Sequence, residues 1–324
     1  MNSLYYGDNL DVLRRHIKDE SVDLVYLDPP FNSAQDYNVL FAEKNGSRSA
    51  AQIRAFEDTW QWDSSSAAAY QEVVENGGKV SEAMQAFRLF LGQTDMMAYL
   101  AMMAPRLVEL RRVLKPTGSI YLHCDPTASH YLKALLDAIF LPTNYVNEIV
   151  WKRTTAHSDA KQGSKHYGRL HDIILYVVRN AGQQTWKPQY VSHDPEYVAS
   201  HYTQEDKDGR CFRWDNLTGP GGAAKGNPYY KVLGVAGYWR FSRENMDRLI
   251  AEGRVAIPPN GEKPALKRYL DEHAGTPVGD VWIDLPPINS QAKERLGYPT
   301  QKPESLLERI ILSSSNEGDT KRAR

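Results

Sequence analysis

The run Asp23-Leu24-Val25-Tyr26-Leu27-Asp28-Pro29-Pro30-Phe31-Asn32 restricts the fold more than any other stretch of this chain. Its β-branched and aromatic residues lie between Asp23 and Pro29, which predicts a buried parallel strand that stops where the backbone loses its donors. Asp28 then stands at the strand's carboxyl end. In open α/β sheets that rim is where ligands bind, so a carboxylate and a ring delivered there are placed for chemistry. The two prolines fix φ and remove two N–H groups, leaving a stiff loop rich in acceptors. Such acceptors suit an exocyclic amine of a nucleobase, whose hydrogens Asp28 and the following carbonyl can bind while Phe31 stacks on the base. An ordinary strand followed by a Pro-Pro turn with a solvated acid explains the same residues.

Asp28-Pro29-Pro30-Phe31 resembles the catalytic tetrapeptide of amino-group DNA methyltransferases, in particular the adenine-N6 kind. The related cytosine-N4 enzymes more often carry Ser in place of the acid. A second stretch supports the resemblance. Tyr298-Pro299-Thr300-Gln301-Lys302-Pro303 leads into an amphipathic helix with Leu306, Leu307, Ile310 and Ile311 on one face. Thr-Gln-Lys-Pro followed by Leu-Leu-x-Arg-Ile-Ile resembles the family segment that cradles the methionine end of S-adenosylmethionine. The resemblance implies that Thr300 and Gln301 hydrogen-bond the cofactor's carboxylate and that Lys302 offsets its charge. It also places a Gly-Asp such as Gly7-Asp8 near the cofactor's adenine, although Asp8 serves equally well as a helix N-cap.

Further elements follow from periodicity. A strand over residues 3–6, a helix carrying Leu10, Leu13 and Ile17, and the strand before Asp28 predict a βαβ unit. Helices are expected near Ala67–Glu75 and Val80–Leu91, with Trp60 and Trp62 as packing residues. A long helix should run from Asp95 to Val113, kinked or broken at Pro105. The strand Ser119–His123, a helix through His130–Ile139 and the strand Asn147–Trp151 come next. His123 is expected as a satisfied strand-end histidine, and Cys124 is no nucleophile, because transfer to an amine needs no covalent enzyme intermediate.

From 154 to 285 the composition turns polar and rich in Gly and Pro, and this part is read as an inserted target-recognition region. Gly221-Gly222 there is a turn, since no phosphate-loop Lys-Ser/Thr pair follows. The charge distribution agrees with a nucleic-acid surface: residues 151–190 carry seven Lys/Arg against two Asp/Glu, whereas residues 1–60 carry six against ten. Lys152, Arg153, His166, Tyr167 and Arg169 are the expected DNA contacts, with Lys187 and Arg240 as further guesses.

The fold expected is therefore α/β, a Rossmann-like S-adenosylmethionine-dependent methyltransferase sheet. Residues 1–153 form the catalytic part, 154–285 the insertion, 286–319 the return to the catalytic part with the cofactor helix, and 320–324 a tail. In the β group of this family a strand ending in a glycine-rich loop should follow the Lys-Pro helix. Here Ser315-Asn316-Glu317-Gly318-Asp319-Thr320-Lys321-Arg322-Ala323-Arg324 offers no apolar run. The expectation is a sheet incomplete at its C-terminal side, with a tail foreign to the fold and weak or no cofactor binding.

The resemblance implies base flipping in double-stranded DNA and transfer to adenine N6, as in the modification subunit of type III restriction-modification systems. Cytosine-N4 transfer and a catalytically inactive DNA-binding remnant are the alternatives. A homodimer and a restriction subunit are the partners it allows for. With two cysteines, no disulfide framework or cysteine-based zinc site is expected, nor any other metal. No apolar run reaches the roughly 18 residues of a spanning helix, and the N-terminus lacks a signal peptide's regions, so a cytoplasmic protein is expected.

Overall fold

The computed structural model describes residues 3, 5, 7–29, 61–154, 165–272, 274–289, 292–296 and 301–323. The chain divides into two compact units, one formed by 1–189 with 279–324 and the other by 190–278. Among the described residues no helix is long and apolar enough to cross a membrane.

The first unit is built on a six-stranded sheet. Its four long strands are β1 (Val22–Leu27), β2 (Leu114–Cys124), β3 (Tyr145–Lys152) and β4 (His171–Val178). Across the sheet the order is Val281–Trp282, β3, β4, β2, β1, Lys321–Ala323. Only β4 runs antiparallel to its neighbours; β1 is parallel both to β2 and to Lys321–Ala323. This is the Rossmann-like α/β architecture expected. Period-two alternation sorts the side chains. Val25, Leu27, Ile120, Leu122, Ile173 and Leu175 join the helical core on one face.

That core packs the helices α1 (Asn9–His16), α2 (Ser64–Glu75), α3 (Gly78–Leu91), α4 (Asp95–Val113) and α5 (Pro126–Phe140). All but α3 are capped at their starts by side chains: Asp8 accepts from Leu10 N, Asp63 forms a capping box with Ser66, Thr94 accepts from Met97 N and Asp125 from Ala128 N. Trp62 packs against this cluster as expected, edge-on to Tyr70. Trp60 lies outside the described residues.

Four expectations need correction. Ser3 and Tyr5 are in no strand, while 4 and 6 lie outside the described residues, so among the described residues no strand precedes α1. The parallel neighbour on that side of β1 comes instead from Lys321–Ala323. The tail expected to be foreign is thus a strand on the edge expected to be bare. It is anchored by backbone and side chain together: Asp23 N donates to Thr320 O at 2.9 Å, and Thr320 N donates to Asp23 Oδ2 at 2.9 Å. Such pairing needs no apolar signal, which is why three residues as polar as Lys-Arg-Ala gave none. Third, of the kink or break expected at Pro105 the break is absent, since α4 is one helix through it, with Met97–Leu107 almost wholly buried.

Fourth, the polar insertion begins later than composition implied. β4, assigned to it, lies in the middle of the sheet between β2 and β3. The second unit spans 190–278 rather than 154–285. It holds a four-stranded antiparallel sheet in the order Val255–Ala256, Ala265–Tyr269, Cys211–Asn216, Gln204–Glu205. Beside it stand a hairpin, Tyr229–Val232 with Val235–Tyr238, and the helix Arg243–Ala251. Leu233 and Gly234 turn the hairpin at φ of 44° and 85°, the positive pair that a tight two-residue connection requires. Leu217, Val232, Trp239, Met246, Val255 and Leu266 are its buried core.

Candidate active site at the carboxyl rim of the sheet

β1 is buried along its whole length and delivers Asp28 to the rim with Pro29 buried behind it. Pro30 and Phe31 lie outside the described residues. Asp28 is met by Lys302, whose Nζ donates to both carboxylate oxygens at 2.9 and 2.7 Å, with the two side chains 12% and 18% exposed. A charge pair this sheltered is screened little by solvent. The sequence reading placed Lys302 against a cofactor carboxylate; in this structure its ammonium holds Asp28.

Lys302 is presented by the stretch before the helix Glu304–Ser314, whose Leu306 and Ile310 are buried. Leu307 and Ile311 are less covered, so the apolar face is narrower than expected. Gln301 ties this stretch together: its Oε1 accepts from Leu296 N at 2.8 Å and its Nε2 donates to Glu294 O at 2.7 Å. Glu294 Oε2 in turn accepts from Glu304 N at 2.9 Å, capping the helix. Gln301 therefore acts here as a loop staple. Thr300 lies outside the described residues.

Beneath Asp28 runs a row of polar groups on the sheet face opposite the helical core. Tyr26 Oη lies 2.7 Å from His123 Nδ1, and His123 Nε2 lies 3.0 Å from Asp172 Oδ2. Asp172 Oδ1 is 2.9 Å from Arg153 Nε. His123 is completely buried, edge-on to Trp151, and 4.0 Å from Asp28 Oδ1. Burial holds its pKa below 6.5 against the pull of Asp172, so the ring is neutral. Tyr26 is pushed well above the usual phenol range by burial, then by Asp28 and Asp172. Cys124 is likewise pushed up by burial, which leaves a thiol and not a thiolate.

Periodicity and motif reading did not single out Tyr26 or Asp172. The available signal was spacing: Tyr26 and Asp28 share a face of β1, and Asp172 precedes an unbroken apolar strand.

Asp8 lies away from this row. Its carboxylate caps α1 and accepts from Arg106 Nη2 at 2.8 Å through each oxygen, which is the capping role weighed above. Of the expected DNA contacts, Lys152, His166, Tyr167 and Arg169 are exposed, Tyr167 at 97%. Arg153 differs, since it is half-open and ion-paired with Asp172. Lys187 is engaged by the end of the Glu304–Ser314 helix, donating to Ser315 O at 3.0 Å. Arg240 Nε donates to Thr218 O at 3.2 Å.

Comparison with known proteins gives the family. The N6/N4 DNA methylase family profile matches residues 22–320. The type II methyltransferase M.EcaI of Enterobacter cloacae is 26% identical over 322 residues, covering 98% of this chain and 60% of that protein. The Mod subunit of the type III restriction-modification enzyme StyLTI of Salmonella typhimurium is 26% identical, covering 96% of this chain and 46% of its own length. The DNA adenine methyltransferase YhdJ of Escherichia coli is 22% identical over 323 residues, covering 98% and 68% respectively. The chain thus spans about half the length of the first two relatives.

Proposed function

Because this chain belongs to the N6/N4 DNA methylase family over residues 22–320, we propose that it takes part in methylating the N6 amine of adenine in double-stranded DNA. The observation that carries the reading is Asp28, a sheltered carboxylate at the carboxyl end of a buried strand, held through both oxygens by Lys302. The adenine activity in the name of the Escherichia coli relative supports the choice of base.

S-adenosylmethionine fits the donor set at this rim, where the ammonium of Lys302 suits a carboxylate and Asp28 suits an amine. When bound, S-adenosylmethionine supplies an electrophilic methyl group on a positively charged sulfur. Asp28 accepts hydrogen bonds from the flipped adenine's amine, with the Pro29 carbonyl beside it, and draws the nitrogen toward a tetrahedral, nucleophilic form. The proton that the amine would shed on methylation would leave along its hydrogen bond to Asp28. Lys302 holds Asp28 through both oxygens until the amine arrives and, on yielding it, would face the cofactor's carboxylate. Thr300 and Gln301 flank Lys302 in this reading, Phe31 stacks on the base, and Pro30 stiffens the loop.

Lys152, His166, Tyr167 and Arg169 supply exposed contacts to the duplex, and the 190–278 unit reads its sequence. A restriction subunit as partner follows from the Mod subunit likeness, and a second copy of the chain is the other partner proposed.

Incubation of DNA with cofactor labelled in its methyl group, followed by digestion and chromatography of the nucleosides, tests the reading. Label in N6-methyladenine is expected, and label in N4-methylcytosine would replace adenine by cytosine. Asp28→Ala should lower transfer by about 100-fold or more while DNA binding persists. An unchanged rate would remove Asp28 from its role.

A further inference from the structure

The polar row beneath Asp28 crosses four adjacent strands. Tyr26 lies on β1, His123 on β2, Asp172 on β4 and Arg153 just past β3. All are on the sheet face that carries Tyr121 and Tyr176, whose rings stack at 4.4 Å, and Asp28 shares that parity with Tyr26. Donors and acceptors fit one arrangement. The Tyr26 hydroxyl stays protonated in its buried setting and donates to His123 Nδ1. The ring's hydrogen is then on Nε2 and goes to Asp172 Oδ2, whose other oxygen is ion-paired with Arg153 Nε at 2.9 Å. In this arrangement both hydrogen bonds point from Tyr26 toward Asp172, and the Arg153 cation stands against its far oxygen.

We infer that Tyr26, His123 and Asp172 are positioning residues for Asp28, which keep it an acceptor for the target amine. The inference rests on the function proposed above. His123 Nδ1 lies 4.0 Å from Asp28 Oδ1, beyond hydrogen-bond range as placed, so a hydrogen on Nδ1 would need a shift of about 1 Å to engage the carboxylate. Tyr26 and Asp172 bar that tautomer, one by donating to Nδ1 and the other by accepting from Nε2. Asp28 is thereby left to Lys302 and to the incoming amine. With the ring fixed, Tyr26 also anchors the strand end two residues before the carboxylate. Arg153 secures Asp172 from the open side.

Two measurements test this on the full chain. Long-range proton–nitrogen NMR of histidine-labelled protein at pH 7.5, with the signal assigned by its loss in His123→Asn, should show His123 neutral with its hydrogen on Nε2. A hydrogen on Nδ1, or an imidazolium, overturns the inference. Second, Tyr26→Phe should lower kcat by roughly 10- to 100-fold with KM for DNA unchanged, in a protein whose melting temperature shows it folded. A full kcat in folded Tyr26→Phe, or a change in KM alone, also overturns it. Should Tyr26→Phe fail to fold, the tautomer of the unsubstituted chain decides. Loss of transfer in Asp28→Ala beside full transfer in Tyr26→Phe refutes only the positioning role, whereas transfer surviving Asp28→Ala refutes the assignment of Asp28 itself.

Discussion

At the rim of the large sheet, Lys302 and Asp28 are 12% and 18% exposed, and Asp172 beside the wholly buried His123 is 7% exposed. In the 190–278 unit, Arg210 pairs with Asp271 at 36% and 57% exposure, and Arg268 with Asp215 at 36% and 21%. There the cations also lie over rings, Arg210 at 3.8 Å and Arg254 at 5.6 Å from the centre of Tyr269. The first arrangement removes charge from water and gives each group a single geometry, which chemistry demands. The second leaves charge wet, screened and free to exchange partners, which suits contact with another macromolecule. Strand interiors make the first possible, and a small antiparallel sheet with many turns makes the second.

The contrast predicts an order of effects. Trp239→Ala empties the centre of the 190–278 core, where the indole is 1% exposed and donates to Tyr230 O. A loss of about 3 to 5 kcal/mol is expected. Limited proteolysis should then cut within 190–278 while 61–154 resists, and simultaneous digestion of both would break the division drawn here. Lys302→Met strips Asp28 of its cation in a sheltered place and should cost about 1.5 to 3 kcal/mol, roughly 10- to 100-fold in kcat/KM for methyl transfer. An unaffected kcat/KM would show that the rim's charges are as loosely held as those of the second unit.

Acid should destabilise the sheet unit. His123 is held below 6.5 by burial in the folded chain and returns to 6.5 when unfolded, so the unfolded state binds the extra proton. Stability is whole above 6.5 and falls as pH drops below it, by up to about 1.4 kcal/mol per pH unit from this group. Denaturant melts at pH 7.5 and 5.5 read the difference, and His123→Asn should flatten it. Smallest is Arg169→Ala on the exposed stretch between β3 and β4: the fold should be untouched, DNA affinity slightly lower at every sequence, and the salt slope reduced by about 1. A sequence-dependent loss would make Arg169 a reader of bases.

Much of this was legible in the chain. Helical spacing located α4 and α5, and the apolar run before Pro29 located β1 and Asp28. The Lys302 helix also stood where its motif placed it, although its partner was not foreseen. What escaped depends on contacts between distant residues. β4 is an apolar strand like any other, and nothing local says that it enters the sheet between β2 and β3. Lys321–Ala323 joins through its backbone, which side-chain patterns do not report. The Tyr26–His123–Asp172 row exists only once three strands align in register, so single-strand reading saw a satisfied histidine and missed what satisfies it.

Asp23 binds both Thr320 N and the ammonium of Lys115, the latter at 2.7 Å, and its partner Thr320 lies 297 positions downstream. Lys302 is 274 positions from Asp28. During synthesis at about 5 to 20 residues per second, β1 therefore leaves the ribosome roughly 15 to 60 seconds before the strand that flanks it. Through that interval its outer edge is unpaired and Asp28 lacks its cation. The nascent chain thus carries the Asp28 carboxylate early and gains the partners of β1 and Asp28 only 297 and 274 residues later.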